Sequence, residues 1–377
     1  MRIIAFTKYP YEGPSSRYRF YNYVNCFEKN NIIMELKPFF SSSYFNQKNI
    51  AFKLFSVITS YMSRIFQLIK LLIKPKQSDL VLIEYELLPF FPSIFERLLK
   101  LRGIKYLVDY DDAIFHKYDI HKNMLVRELL KEKIGKVMQN AEVVVVCNSY
   151  LEAYAKTYNT YTLRLPTVVL LENYKNVMCE YGKKDESRPF IIGWIGSKST
   201  SVYMLDILPV MKRFAVAYDV EFRLVGFDES LLPLDEKEAC NIEVVPWSEE
   251  GEVEEILEFD IGIMPLKNDP WSQGKCGFKL VQYMSCAKPV IASPVGINAS
   301  LVKEGKNGFL AESEDEWFDA FEKLCLDKKL REKMGVNNMK KIETEYNHRI
   351  NCEKYVQMIY EILEKERSST DYANLTD

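Results

Sequence analysis

Short, almost wholly apolar runs recur along the chain, each followed by a longer stretch in which apolar residues return every three or four positions. The first kind reads as a strand buried on both faces, the second as a helix lying against it. In the first half the strands expected are Arg2 to Thr7, Ile32 to Lys37, Leu80 to Glu84, Tyr106 to Asp109, Val143 to Cys147 and a run around Val168 to Leu171. Between them the spacing predicts helices at about Arg17 to Lys29, across the basic stretch 50–76, at Phe91 to Leu101, about Met124 to Gln139, and Tyr150 to Tyr158. Fully apolar strands that alternate with helices imply a parallel sheet covered on both faces.

The alternation breaks after Asn173 into a polar, charged stretch ending at Pro189, which reads as an interdomain linker, and then resumes. Strands are expected at Phe190 to Ile195, Glu221 to Val225, Ile242 to Val245, Ile261 to Pro265, Pro289 to Ala292 and Gly308 to Leu310, and a final amphipathic helix near Ile350 to Lys365. The fold class expected is α/β, with two Rossmann-like, doubly wound domains facing a cleft. The boundaries are 1–173, a linker 174–189, 190–346, and a C-terminal helix and polar tail 347–377 packing back toward the first domain. Ligands should lie beyond the carboxyl ends of the strands.

Composition alters this picture little. A chain of 377 residues, 47% hydrophobic and 27% charged, suits two globular domains. A net charge of -3 supplies no broad basic field, which argues against nucleic acid as a partner. The eight cysteines include no CxxC pair, and several lie in apolar runs, so reduced, buried thiols in a cytoplasmic protein are expected. The run Met1 to Phe6 stops at Lys8 and Pro10 without the apolar core of a signal peptide. No uncharged apolar stretch reaches the ~18 residues that span a bilayer.

One segment stands apart. Between Glu35 and Asp79 there is no acidic residue, while Lys37, Lys48, Lys53, Arg64, Lys70, Lys74 and Lys76 punctuate apolar positions. A basic amphipathic helix of this kind either lies on an anionic membrane surface or buries its apolar face while its charged ends snorkel. Both readings stay open, and the first makes 50–76 a peripheral contact with the inner membrane face.

Two stretches carry anion-binding chemistry. Gly193-Trp194-Ile195-Gly196-Ser197-Lys198 runs from a strand into a helix, where free backbone N–H groups and the helix dipole meet negative charge. The loop Trp271 to Phe278 enters a second helix carrying Lys279 and Gln282. Two cradles in one domain suit a diphosphate, and Gln282 suits a ribose hydroxyl. The alternative is that Lys275 and Lys279 are merely solvated and Gln282 is incidental. No GxGxxG is present, which disfavours a nicotinamide dehydrogenase.

From Arg2 to about Lys365 the sequence resembles the retaining glycosyltransferases of family 4, which have the GT-B fold. The carriers are Gly193 to Ser197, Phe222 to Gly226, Val245-Pro246-Trp247, Phe259 to Leu266, Gly274 to Ala292, Pro294-Val295-Gly296 and Gly305 to Leu310. The resemblance implies a nucleotide-diphosphate sugar as donor substrate, no cofactor, and a glycan or lipid-linked acceptor. It places the donor against Gly196, Ser197, Lys198, Trp247, Lys275, Cys276, Gly277, Phe278, Lys279 and Gln282. Two family glutamates, one for sugar hydroxyls and one for the ribose, fall on Gly274 and Gln282, so both acids are replaced here.

The N-terminal loop with Gly13, Ser15, Ser16, Arg17 and Arg19 occupies the place of the family's glycine-rich loop, where the arginines are candidates for a phosphate or are simply solvated. Past the fourth strand, Asp111 or Asp112 is the candidate to orient or deprotonate the acceptor hydroxyl, against a helix-capping role for Asp112. His116 is the candidate near the sugar, or structural. Adjacent aspartates without a third ligand at suitable spacing do not predict a metal. The expected reaction is a metal-independent retaining transfer in which Lys198 and Lys279 absorb the charge of the departing nucleotide diphosphate. Two other classes stay open: a non-catalytic GT-B partner subunit that binds a nucleotide sugar, and a GT-B sugar epimerase.

Overall fold

In the computed structural model, which describes residues 1–42, 49–180 and 188–373, the apolar runs become strands paired only in parallel. The chain divides into two units, Met1–Thr167 with Arg349–Asp377, and Val168–His348. The first holds β1 (Arg2–Thr7), β2 (Ile33–Pro38), β3 (Leu80–Glu84), β4 (Tyr106–Tyr110), β5 (Val143–Val146) and β6 (Thr162–Arg164), in the order β2-β1-β3-β4-β5-β6. The second holds β7 (Phe190–Ile195), β8 (Val220–Val225), β9 (Ile242–Val245), β10 (Ile261–Met264), β11 (Val290–Ala292) and β12 (Gly308–Leu310), in the order β12-β11-β10-β7-β8-β9.

Each sheet therefore reverses its direction of growth once, between β1 and β3 and between β7 and β10. Crossovers leave the two neighbouring strands in opposite senses there, which opens a crevice at their carboxyl ends. Lys8 and Glu84 to Glu86 stand at the first such place, and Gly196 and Ser197 at the second.

The structure shifts several expected elements. The last strand of the first sheet is Thr162–Arg164, because Val168, Val169, Leu171 and Tyr174 are buried in the core of the second unit. Leu171–Glu180 is accordingly a helix of that unit, and most of the segment expected as linker is structure; residues 181–187 lie outside the described residues. So do Lys48 and the end of the polar tail, 374–377. The helix expected over Arg17 to Lys29 is three short pieces, Pro14–Arg19, Tyr21–Tyr23 and Val24–Lys29, broken where Phe20 leaves helical geometry to bury its ring. Met124–Leu130 and Lys133–Asn140 are likewise separate, as Lys133 turns inward to pair with Glu86.

The last helix, His348–Ala373, lays Tyr355, Ile359 and Ile362 into the core of the first unit beside Tyr23 and Phe27, with the Tyr355 ring 5.6 and 5.3 Å from theirs. Cys352 on this helix is disulfide-bonded to Cys26. The expectation that all eight thiols are reduced is corrected for this pair: burial of the helix brings the two cysteines together across 326 positions of sequence.

The basic stretch forms one 24-residue helix, Ile50–Ile73, capped by the Asn49 side chain, which accepts from the Ala51 N–H at 2.9 Å. By length and composition it is apolar enough to cross a membrane. Its inner face is nonetheless fixed to the first unit. Leu68 and Leu71 are fully buried, and the buried Arg64 guanidinium donates to the carbonyls of Thr7 (3.0 Å) and Lys37 (2.8 Å) over the Phe6 ring. Burial brings Arg64 down to about 9, against the pull of the Glu84 carboxylate. The opposite face leaves Phe52, Leu54, Phe55, Ile58, Met62, Phe66, Ile69 and Ile73 exposed.

Candidate active site

In the second unit, glycines let distant segments converge. The loop after β7 passes so near the loop after β8 that a β-carbon on Gly226, whose φ is 75°, would lie 2.3 Å from the Gly196 carbonyl oxygen and 3.1 Å from Cβ of Trp247. A β-carbon on Gly196 would lie 2.7 Å from Cε of Lys279 and 2.4 Å from the Trp194 ring. The Lys279 ammonium stands 5.4 Å over that ring, half-buried. Gly196, Trp247 and Lys279, expected to share a ligand, thus meet at one place.

Gly277 takes the left-handed conformation, φ 67°, as the cap of helix Phe278–Ser285, and a side chain there would strike Ile297 and Leu301 at 2.7 Å. The turn aims the N–H groups of the helix start, where Phe278 and Lys279 sit, along the helix axis. Cys276 and Lys275 precede it half-buried, the Lys275 ammonium 5.2 Å over the Trp271 ring. Ser197 and Lys198 are exposed at the start of a 3₁₀ segment, Lys198–Ile207, and the Ser197 hydroxyl bonds that of Ser199 at 3.0 Å.

Gln282 is buried and donates to the Tyr174 hydroxyl at 3.3 Å, which in turn donates to Glu252 at 3.2 Å; the Trp247 indole donates to the other Glu252 oxygen, also at 3.2 Å. The sequence reading missed Tyr174 and Glu252. A buried carboxylate one hydroxyl away from the position that lost its acid has no signature in the local pattern, because Glu252 lies 30 residues before Gln282 and Tyr174 lies 78 before Glu252.

The first unit organises its chain-end crevice differently. Arg19 is buried, its guanidinium held by both Asp109 oxygens (2.8 Å each) and by the Leu165 carbonyl at 2.7 Å. Arg17, equally buried, packs against the rings of Tyr11 and Tyr18. The alternative that these arginines are simply solvated is thereby corrected: both are buried, and Arg19 is paired internally with Asp109. Gly13 caps helix Pro14–Arg19 against Tyr9. Ser16 is buried and donates to Glu84 at 2.6 Å.

Asp111 is buried within a hydroxyl pair, accepting from Ser15 Oγ at 2.8 Å and from the Tyr85 hydroxyl. Asp112 is half-buried and does not cap the following helix, His116–Asp119, which begins after Phe115. His116 has both ring nitrogens engaged, Nδ1 with Asp119 at 3.0 Å and Nε2 with the Tyr150 hydroxyl at 2.8 Å. Among the described residues no group of three or more His, Cys, Asp or Glu is placed to hold a metal ion.

At the β1/β3 crevice lies a cavity of about 180 Å³ lined by Lys8, Tyr9, Phe39, Phe40, Glu84, Tyr85, Glu86, Pro89, Phe90, Ile114 and Lys117. Burial pushes Glu84 up to about 7, against the pull of Ser16 and the Lys8 N–H. Burial, reinforced by the neighbouring Lys8 ammonium, brings Lys117 down to about 8. Tyr85 and Phe90 hold positive φ, 62° and 52°. For bulky aromatic residues that conformation costs about 1–3 kcal/mol each and is typical of ligand-binding walls. None of these residues was singled out in the sequence, since only the strand order brings the ends of β1 and β3 together.

Residues 190–327 match the family described as Glycosyl transferases group 1. Sucrose-phosphate synthase from Thermosynechococcus elongatus is similar over 97% of this chain and 100% of its own, with a TM-score of 0.69 and 14% identity. HepE from Anabaena, solved in complex with UDP, is similar over 96% and 100%, with a TM-score of 0.65 and 12% identity. The fold is GT-B. WaaG, a glycosyltransferase involved in lipopolysaccharide biosynthesis, shares this GT-B fold over 95% of this chain and 99% of its own, with a TM-score of 0.65 and 12% identity. No curated protein matches the sequence. The convergence of Gly196, Trp247 and Lys279 falls inside the region matching the glycosyltransferase family.

Proposed function

We propose that this chain is a retaining, family 4 glycosyltransferase that moves a sugar from a nucleotide-diphosphate donor to a glycan or lipid-linked acceptor, without a metal or other cofactor. The observation that carries the reading is the meeting of Gly196 and Lys279, which makes one anion site from two loops 83 positions apart. A diphosphate there is bound by the helix-start N–H groups beyond Gly277 and by the Lys279 ammonium, and its leaving-group charge is stabilised in place as the glycosidic bond breaks. Lys198, on the exposed side, adds a second point charge. The UDP bound by HepE and the group 1 match support a nucleotide sugar as donor.

Gln282, Tyr174 and Glu252 form the polar wall for the ribose, so the carboxylate absent at 282 is supplied from 252 through a hydroxyl. Asp111, already hydrogen-bonded to Ser15 and Tyr85, is the candidate to orient the acceptor hydroxyl. The exposed apolar face of helix Ile50–Ile73 and its lysines support a lipid-linked acceptor met at the cytoplasmic face of the inner membrane, as in the assembly of bacterial surface polysaccharides.

The test is Lys279→Ala. Loss of a charge-assisted contact to the leaving group should lower donor turnover by about 10- to 100-fold while the melting temperature stays within a few degrees. An unchanged turnover refutes the assignment. The replaced acids at Gly274 and Gln282 favour one other reading, a non-catalytic subunit that binds the nucleotide sugar; donor hydrolysis by the purified protein, even slow and without acceptor, rules it out.

A further inference from the structure

We propose that the cavity at the β1/β3 crevice binds an uncharged pyranose ring, stacked on Phe90 and hydrogen-bonded through a hydroxyl to Glu84. The binding does not depend on the glycosyl-transfer reading; only the role of that ring as part of the acceptor rests on it.

The cavity lies where the first sheet reverses its growth, the place where open parallel sheets take ligands. Its walls are fixed by hydrogen bonds from neighbouring elements. Tyr61, on helix Ile50–Ile73, donates to the Pro89 carbonyl at 2.6 Å and sets its ring edge-on to that of Phe39, 5.0 Å between centroids. The two lining residues with positive φ, Tyr85 and Phe90, are each clamped through their backbone. The Tyr85 N–H donates to the Asp109 carbonyl at 3.0 Å, and the Tyr85 carbonyl accepts from the Tyr110 hydroxyl at 2.8 Å. The Phe90 N–H donates to the Tyr118 hydroxyl at 3.0 Å. Strain that several partners impose together marks a site rather than a loose turn.

The core does not account for the conformation of Phe90, since its side chain stays 54% exposed. Its ring meets Tyr118 and His121 edge-on, at 5.5 and 6.1 Å. An aromatic ring held half-exposed in the wall of a 180 Å³ cavity suits the C–H side of a sugar, and that volume takes one six-membered ring rather than a disaccharide.

The charges of the lining are met within the protein. Lys8 is attracted by Glu84, and Lys117 by Glu86 and Asp112. Glu86 also pairs with Lys133 and accepts from the Tyr118 hydroxyl at 2.7 Å. A ligand of either sign would disturb this balance, so the cavity favours a neutral one. What the protein leaves unmet is one oxygen. Glu84 Oε2 accepts the Lys8 N–H (2.7 Å) and the Ser16 hydroxyl (2.6 Å), while Oε1 is buried without a hydrogen-bond partner. Because both donors occupy Oε2, a proton on Glu84 sits on Oε1. Burial brings the group up to about 7, so near neutral pH Oε1 accepts in one population and donates in the other. A hydroxyl pairs with both forms, a carbonyl with only one, and an apolar chain with neither.

The test is saturation-transfer NMR on the full chain with the methyl glycosides of glucose, galactose and N-acetylglucosamine, beside methyl glucuronide and cyclohexanone. At least one neutral glycoside should bind, with saturation strongest at its ring C–H protons. Cyclohexanone, which lacks a hydroxyl, should bind at least about tenfold more weakly, and the glucuronide should gain nothing from its charge. Phe90→Ala and, separately, Glu84→Leu should each weaken the glycoside about tenfold, whereas Glu84→Gln, whose amide can donate to the hydroxyl, should retain it. The half-exposed position 90 guards against a Glu84 variant that fails to fold, and a thermal melt identifies that case. No neutral glycoside bound, a glucuronide about tenfold tighter than all of them, or binding untouched in the folded Phe90→Ala protein overturns the proposal. Saturating UDP should leave the glycoside signal in place, and its loss would assign the cavity to the nucleotide instead. UDP binding is read in the same titration, so a failure of the transferase reading is seen separately.

Discussion

Replacing Arg19 with Met separates a structural role from a ligand-binding one. In the folded protein the guanidinium is surrounded by both oxygens of Asp109 and by the Leu165 carbonyl, with both side chains about 3–4% exposed. Methionine fills most of the same volume but carries no donor, so the Asp109 carboxylate is left buried without its counter-charge. Breaking a buried pair from one side costs about 3–5 kcal/mol. For a unit of this size about 2–4 °C of melting temperature accompanies each kcal/mol, which gives a fall of roughly 6–20 °C. Arg19→Met with Asp109→Leu removes both charges and should recover most of that loss, since two apolar side chains replace a mutually dependent pair. Calorimetric melts of the wild type, the single and the double variant measure this directly, with donor turnover followed in parallel. A single variant that melts within about 2 °C of wild type, with turnover reduced, would refute the internal-pair account and return Arg19 to the role of a phosphate ligand.

Two further outcomes are expected. Because the folded state raises Glu84 from 4.5 to about 7, it holds that proton more tightly than the unfolded chain does, so stability falls as pH rises from about 4.5 to about 7 and levels off above. The contribution is about 3 kcal/mol; urea melts across that range should show it in wild type and not in Glu84→Gln, and an identical slope in both removes Glu84 as the source. Phe55→Ser with Phe66→Ser, at positions 65% and 70% exposed, should weaken sedimentation with anionic vesicles at low salt and leave the melting temperature unchanged; undiminished vesicle binding would mean that the outer face of helix Ile50–Ile73 is not the membrane contact.

The central strands were legible because burial on both faces forces a run of apolar residues with sharp ends, and β3, β7 and β12 lie where the runs predict; the edge strand β6, with no buried residue, was missed. The approach of Gly196 and Lys279 was partly legible as well, since a glycine-bearing loop running into a helix is a local arrangement, and Gly196, Gly277 and Lys279 sit within such loops. What the sequence hides are pairings across distance. Arg19 looks like an exposed helix-start arginine until Asp109, 90 residues on, is seen to hold it. Cys26 and Cys352 read as unrelated thiols until the last helix returns to the first unit. Lys8 follows one ordinary strand and Glu84 ends another, and their meeting depends on β1 and β3 being neighbours while β2 lies on the other side. Val168 to Leu171 is apolar enough for a strand, and only its burial in the second core decides otherwise.

The return of helix His348–Ala373 to the first unit bears on the order in which the chain acquires its structure. The second unit is one continuous stretch, Val168–His348, and every residue of its core has been synthesised before the last helix begins. The first unit starts at residue 1 yet stays incomplete until Tyr355, Ile359 and Ile362 emerge to cover Tyr23, Phe27 and Ile32. During translation the N-terminal unit is therefore the later of the two to finish, and until then it presents an apolar surface that a ribosome-bound chaperone can recognise. A fragment ending at Thr167 would keep that surface permanently, so the N-terminal half is best isolated with residues from 349 onward supplied as a second chain.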